Sequence, residues 1–453
     1  MHKTVVIDIV GLSSTLIGEH TPFLKSYISK RVLQTIEPML PAVTTSVQST
    51  YLTGQWPSQH GIVGNGWYDH EDCEVKFWKQ SNKLVQGEKI WERAKKLDPQ
   101  FTTSKMFWWY NMYSSAEFSV TPRPNYLADG RKMPDCYSHP ASLRDELQKE
   151  LGQFPLFKFW GPGADVTSTQ WIADASVFTD RKYDPTLTLI YLPHLDYCLQ
   201  KYGQDLSRIS KDLNEIDKIV EQLVNYYSGV GAKIILLSEY GITNVSRPVH
   251  VNRVLREHGL LGIRVERGLE LLDAGASKAF CVADHQVAHV YVNDVSVMSK
   301  VRKILEDIPG VELVLDKEAQ KAYHIDHERS GDFVLMADEQ SWFTYYFWMD
   351  DAKAPDYARV VDIHKKPGYD PVELFMTSKG RAAYKLLRKK LGFRYVMDVI
   401  PLDATLVKGS HGRIVKEAGY KPVLITDGGF GEGMLQAVDV YDVIWESLVG
   451  RKE

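Results

Sequence analysis

The strongest constraint on this chain is a set of three short apolar runs that each carry an acid at one end. Val5–Ile9, Leu187–Leu192 and Lys233–Leu237 are rich in β-branched residues, with Asp8 inside the first and Asp196 and Glu239 just past the other two. Runs of this length bounded by polar residues read as buried strands. Between them lie stretches with helical periodicity, among them Leu206–Tyr227 and the segment around Glu88–Lys96. Strands alternating with helices predict a mainly parallel sheet covered on both faces. Ligands of such sheets bind beyond the carboxyl ends of the strands. Three acids at three strand ends therefore call for one common explanation.

Residues 288 to 336 change character. HVYVN, a helix-like VSVMSKVRKILEDI, VELVLD and GDFVLMA predict a small α/β subdomain, inserted into a core made of residues 1–287 and 337–453. After it come an aromatic stretch, WFTYYFW, and a polar loop, VVDIHKKPGYDP. A helix over Gly380–Leu391 and a His-Gly element near Val407–Gly412 follow. With 44% hydrophobic and 25% charged residues the chain reads as globular. A net charge of −4 without a Lys/Arg block gives no footprint for a nucleic-acid duplex or an acidic membrane. The amino-terminal VVIDIVGL is too short to span a bilayer and reads as the first core strand. Cys73, Cys136, Cys198 and Cys281 form no CxxC pair, so reduced thiols in the cytoplasm are the expectation. The oligomeric state is left open.

The stretch PAVTTSVQSTYLTGQWPSQHGIVGNGWYD, from Pro41 to Asp69, carries the most chemical information. Thr44 precedes a run with helix character that Gly54 is placed to stop. A threonine at a helix amino terminus sets its hydroxyl beside exposed N–H groups, where a phosphoryl group is favoured; alone, the same threonine reads as a helix cap. The stretch resembles the nucleophile motif of the nucleotide pyrophosphatases/phosphodiesterases, a branch of the alkaline phosphatase superfamily. In that motif a Thr or Ser precedes a T-G and a P-x-x-HGI-x-x-N tail. Thr53-Gly54, Pro57, His60-Gly61-Ile62 and Asn65 fall in register, which places Thr44 at the nucleophile position.

The resemblance implies a three-layer α/β/α sandwich with a mainly parallel central sheet. It also implies a covalent phospho-Thr44 intermediate in the hydrolysis of a phosphodiester or pyrophosphate bond of a small molecule. Two divalent cations about 4 Å apart would serve that chemistry, with zinc first and manganese, iron or magnesium as alternatives. Asp8 matches a first-strand aspartate ligand, and a buried carboxylate there is costly without a cation. Asp196 in YLPHLDYCLQKYG matches a strand-end aspartate, and His411 in VKGSHGRI a late histidine that completes the same metal site.

Two ligand positions depart from the pattern. The histidine expected four residues after Asp196 is Gln200, and the Asp-His pair of an S-D-H-G element is Glu239-Tyr240. Glutamate can ligate through a longer arm, tyrosine only as phenolate, and glutamine weakly through its carbonyl. His194, the Asp284-His285 pair, and Asp362, His364 and Asp370 are the substitutes the sequence offers for a missing imidazole. An asparagine expected three residues after the nucleophile is Val47, leaving Gln48 or Thr45 to take its part, while Asn65 matches. Phe107–Ser115 offers an aromatic wall, with Arg123, Arg131 and Lys132 as phosphate partners. Three readings follow: a diesterase or pyrophosphatase; a phosphomonoesterase, phosphonate hydrolase or mutase-like relative; or a non-catalytic member that kept the fold.

Overall fold

In the computed structural model, which describes residues 1–393, 395–430 and 434–450, the three acid-ended runs are neighbouring parallel strands. Thr4–Ile9 lies between Leu187–Leu192 and Lys233–Leu237, with Asp8 in register with Tyr191 on one side and Leu237 on the other. All six residues of Thr4–Ile9 and of Leu187–Leu192 are buried, as expected for strands covered on both faces. The parallel register carries the consequence: Glu239, two residues past Leu237, and Asp196, on the helix that follows Leu192, emerge at the same sheet edge as Asp8.

The described residues form a nine-stranded sheet in the order Leu435–Gln436, Val32–Glu37, Val423–Thr426, Lys233–Leu237, Thr4–Ile9, Leu187–Leu192, Thr103–Met106, Phe118–Pro122 and Cys136–His139. The five strands from Lys233–Leu237 to Phe118–Pro122 run parallel. Antiparallel Val423–Thr426 and Cys136–His139 flank them. Helix Leu206–Gly229 buries Ile209, Leu213, Ile216, Val220, Leu223 and Tyr227, one stripe at helical spacing. It packs with Val166–Tyr183 against the sheet, while Asp439–Val449 packs on Thr4–Ile9 and on helix Thr44–Thr53. This is the three-layer α/β/α sandwich.

A second hydrophobic core gathers residues between Val245 and Val407, with Tyr68 and Phe77. Its centre is an antiparallel four-stranded sheet in the order Ala279–Asp284, Val287–Val292, Phe333–Ala337, Val311–Leu315. The subdomain boundary expected at 288 falls inside the second of these strands. Ala279–Asp284 and Val287–Val292 pair residue for residue from Ala279↔Val292 to Asp284↔Val287, and a hydrogen-bonded hairpin does not divide between two bodies. The smaller body therefore starts upstream of that boundary.

The hairpin tip is His285-Gln286, with His285 at φ 61°, a left-handed conformation that side chains rarely adopt and that clusters at functional sites. Neighbouring backbone clamps it: Gln286 N–H donates to His411 O at 2.8 Å, and Phe343 N–H to His285 O at 2.7 Å. Among the described residues, no helix is long and apolar enough to cross a membrane.

Candidate active site

Thr44 is the first residue of helix Thr44–Thr53, behind an extended Val43 that makes no side-chain cap. Gly54, left-handed at φ 65°, ends the helix, and a Cβ there would press on the Tyr441 ring. The whole helix is buried, and most of its polar side chains are hydrogen-bonded, Ser46 Oγ being without a partner. Thr45 Oγ1 donates to Gly64 O, Ser49 Oγ to Thr45 O, and Thr50 Oγ1 meets His60 Nε2 at 2.9 Å. His60 of the HGI motif is thus a brace for the helix. Thr45 N–H donates to Asn65 Oδ1 at 3.2 Å, while Asn65 in turn donates to both oxygens of Asp284, from N at 2.8 Å and Nδ2 at 3.1 Å. Asn65 therefore stands beside the helix start, held by the hairpin.

The Thr44 hydroxyl faces two groups. One is the Tyr240 hydroxyl at 3.1 Å; the other is the Glu239 carboxyl, which also meets Asp8. Glu239 is fixed through its neighbour: Ser238 Oγ donates to Leu12 O at 2.7 Å and Tyr51 OH to Ser238 O at 3.0 Å. Gln48 Nε2 donates to Glu239 Oε1 at 2.5 Å and to Asp8 Oδ2 at 3.4 Å. Its Oε1 accepts from Trp109 N–H at 2.6 Å. With Thr45 and Gln48 both committed, neither offers a spare donor in place of the expected asparagine.

Asp196 is held on both oxygens, by Gln200 Nε2 at 2.6 Å and Tyr240 OH at 3.4 Å. Gln200 Oε1 accepts from Tyr369 OH at 3.0 Å. The Tyr240 ring lies on His411 with centroids 3.6 Å apart. His411 meets His285 at 3.8 Å, and His285 lies on Tyr369 at 3.6 Å. His411 Nδ1 is bonded to Ala42 O at 2.8 Å and His285 Nδ1 to Asp284 Oδ1 at 2.8 Å.

Burial dominates the electrostatics. It lifts Asp8 well above the usual carboxylate range, with the Glu239 charge adding to it. Burial pushes Glu239 up to about 7 against its bonds to Asp8, Thr44 and Gln48. Asp196 rises to about 7 by burial and the Glu239 charge, and Asp284 to about 6 by burial. The same desolvation drives His285 and His411 well below their ordinary value, so both imidazoles are neutral at pH 7.

The structure thus brings together Asp8, Thr44, Asp196, Gln200, Glu239, Tyr240, His411, Asn65 and His285. Other sequence candidates lie apart. His194 turns to the neighbouring helix, with Nε2 3.2 Å from Asp212 and 3.5 Å from Glu215. Those three are the one His/Cys/Asp/Glu trio among the described residues whose ligand atoms all lie within 4.8 Å. His364 is exposed and bonds Phe77 O at 3.2 Å. Asp362 pairs with Lys365 at 3.7 Å, and Asp370 with buried Lys366 at 2.7 Å. Arg131 pairs with Asp129 at 2.6 Å on an exposed turn, Arg123 donates to Met112 Sδ at 3.1 Å, and Lys132 sits near the Asp362 and Glu373 charges. No hydrogen bond or ion pair described in the structure ties these three cations to Thr44.

The aromatic wall divides between core and site. Phe107 and Trp108 are fully buried, with Phe107 packed on Phe154 and Trp171. Trp109 and Tyr110 of the same segment do reach the centre, Trp109 N–H bonding Gln48 and its ring meeting Trp78 at 4.9 Å, and Trp78, Trp160 and Tyr369 line a small cavity beside it. The polar loop VVDIHKKPGYDP contained the signal for Tyr369, but nothing in sequence spacing points to Trp78 or Trp160.

The two halves of the centre differ in their fitness for a cation. Asp8 Oδ1 and Glu239 Oε2 are buried without a hydrogen-bond partner, an arrangement that is costly unless a cation or proton is shared. With Thr44 they form a set of oxygen donors suited to a hard divalent ion. In the Asp196 half only the ring nitrogens His411 Nε2 and His285 Nε2 lack partners. Asp196 accepts from Gln200 and Tyr240 and lies 3.8 Å from His411 Nε2; its oxygens keep lone pairs while accepting, so this half offers mixed oxygen and nitrogen donors.

A parallel sheet between helical layers, with a helix-start threonine facing buried carboxylates at its carboxyl edge, defines an alkaline phosphatase-like hydrolase fold. A family model described as type I phosphodiesterase/nucleotide pyrophosphatase matches residues 4–370. The chain belongs to that family of phosphoric ester hydrolases. It is 23% identical over 385 residues to ectonucleotide pyrophosphatase/phosphodiesterase 2 of Saccharomyces cerevisiae, covering 80% of this chain and 68% of that protein. An uncharacterised pyrophosphatase/phosphodiesterase of Schizosaccharomyces pombe is 24% identical, with 53% of this chain and 45% of the relative covered. Among solved structures, phosphonoacetate hydrolase of Sinorhizobium meliloti with phosphonoacetate gives a TM-score of 0.62 at 15% identity, covering 99% of this chain and 96% of that one. An inactive variant of murine ectonucleotide pyrophosphatase/phosphodiesterase 5 in complex with AMP gives 0.60 at 14%, covering 99% and 95%.

Proposed function

We propose that the protein hydrolyses phosphodiester or pyrophosphate bonds of a small molecule, a nucleotide or similar compound, through a covalent phospho-Thr44 intermediate. One observation carries this reading: the Thr44 hydroxyl sits at a buried helix start against Glu239 and Asp8, whose outer oxygens lack partners. The Thr44 oxygen attacks phosphorus in line, its bond forming as the bond to the leaving oxygen breaks. The positive end of helix Thr44–Thr53 faces the phosphoryl oxygens, with Thr45 N–H held by Asn65. Water then displaces Thr44 to release the product. Asp8, Glu239 and Thr44 would hold a divalent cation, which supplies charge neutralisation for the phosphoryl group and lowers the proton affinity of the hydroxyl. Zinc, manganese, iron and magnesium are the ions to test, and the oxygen-rich donor set favours the harder ones. A cytoplasmic location goes with this reading, supported by the four unpaired cysteines.

The phosphonoacetate hydrolase neighbour keeps a second reading alongside it, a phosphonate or phosphomonoester hydrolase on the same nucleophile. Turnover of bis-p-nitrophenyl phosphate, p-nitrophenyl phosphate and phosphonoacetate, each with added metal, separates the two. Thr44→Ala is expected to lower the favoured activity at least about 1,000-fold; an active Thr44→Ala enzyme removes the nucleophile assignment.

A further inference from the structure

Between Glu373 and Asp398 the sequence carries seven Lys/Arg and no acid. Helix Lys379–Lys390 fills the middle of this stretch, started by Ser378 Oγ, which accepts from Arg381 N–H. A helix on a globular protein ordinarily buries its apolar stripe and shows its charges. This one does the reverse. Arg381 and Lys385 bond to Asp398, Lys385 at 2.6 Å, and Ala382 packs on the second hydrophobic core. Tyr384, Leu387 and Leu391, spaced along one face, are each more than half exposed, as are Leu386 beside them and Phe393 and Val396 just past the helix end. Lys379 and Lys390 are exposed next to them.

A contiguous apolar patch left in water marks an interaction site. Its occupant must be apolar inside and negative at its surface. A second copy laid face to face would set cation against cation with no acid between them. A groove built to wrap a basic helix reaches only the outer side of this one, since Asp398 and Ala382 tie down the other. A bilayer with anionic headgroups meets both demands: the tyrosine and leucines enter the acyl boundary while the lysines stay among the headgroups. We propose that helix Lys379–Lys390 and the residues just past it dock the protein peripherally on an anionic membrane surface. The net charge of −4 averages this cationic stretch away, so the sequence expectation of no acidic-membrane footprint is revised. Anionic lipids are concentrated on the cytoplasmic leaflet. The docking is independent of the hydrolase reading.

Co-sedimentation of the full chain with vesicles tests this, using phosphatidylcholine alone and phosphatidylcholine mixed with phosphatidylserine. At about 0.1 M salt the parent is expected to bind the anionic vesicles at least about tenfold more than the neutral ones, and to lose most of that binding at about 1 M. Leu387→Glu/Leu391→Glu removes the apolar anchor and Lys379→Glu/Lys390→Glu the charge; each should cut binding at least about tenfold. All four positions are exposed, so both variants should keep the parent's Tm and its turnover of bis-p-nitrophenyl phosphate. Equal binding to the two vesicle types, or none to either, overturns the inference. Full binding by either variant does the same. A parent dimer that Leu387→Glu/Leu391→Glu dissolves, without vesicle binding, overturns it in favour of a second copy.

Discussion

Gln48 and Glu239 meet at 2.5 Å, amide nitrogen to carboxyl oxygen, and the same amide reaches Asp8 at 3.4 Å. A neutral side chain thus bridges two buried acids. Removing it as Gln48→Leu strips Glu239 of its donor and leaves Trp109 N–H without its acceptor. The expected loss is roughly 2–4 kcal/mol. Added manganese should recover part of it, because a cation between the acids stabilises the folded state by mass action. Thermal melts with and without EDTA check this. An equal Tm drop in both conditions would show that the amide and the cation are not linked.

Lys105 is fully buried, with its ammonium bonded only to Trp109 O at 3.3 Å and Tyr110 O at 3.2 Å. Burial pulls it down to about 7 from 10.5. The folded state then binds fewer protons than the unfolded chain between those values, so stability rises with pH across that window. The cost of burying the charge is full below pH 7. Lys105→Met should accordingly raise Tm by roughly 2–4 °C at pH 6.5. The gain should fade by pH 10. A gain independent of pH would contradict the sign.

Lys366 lies 2.7 Å from both Asp370 and Glu373, and all three side chains are at most 2% exposed. Lys366→Met leaves two buried carboxyls facing each other without their cation. Destabilisation of roughly 3–5 kcal/mol is expected in urea unfolding. The triple replacement Lys366→Met/Asp370→Asn/Glu373→Gln should regain part of that. A single variant as stable as the parent would mean that water already reaches the trio.

His194 and His364 were sequence candidates for a missing imidazole, but they lie against Asp212 and Phe77 instead. His194→Ala and His364→Ala are therefore expected to hold kcat/KM within about twofold of the parent. His285→Ala, which unseats Tyr369 from its stack and Asp284 from its partner, should cost more. A steeper loss for His364→Ala than for His285→Ala would reverse this placement.

The sheet edge was legible because strand patterning is local: Asp8, Asp196 and Glu239 announce their ends within a few residues of β-branched sequence. Thr44 was legible because its motif fixes many spacings at once. What escaped was orientation. Residues 107–110 form an aromatic run whether they face core or cleft, and only the packing of Phe107 on Phe154 decides it. Gln48 lies one helical turn past Thr44, which sets its face but not the pair of acids it bridges. His194 precedes Asp196 by two residues, and an extended segment would have pointed both the same way. The chain is already helical there, so they diverge.

The hairpin tip at His285-Gln286 belongs by packing to the smaller body, yet it supplies Asp284 and an imidazole to chemistry that begins on the larger one. The two lobes are consequently not interchangeable modules. Grafting a foreign lobe onto this core would import a different turn, leave Asn65 without its anchor, and strip the ring stack of its middle member. Inheritance of the chemistry is tied to inheritance of that turn.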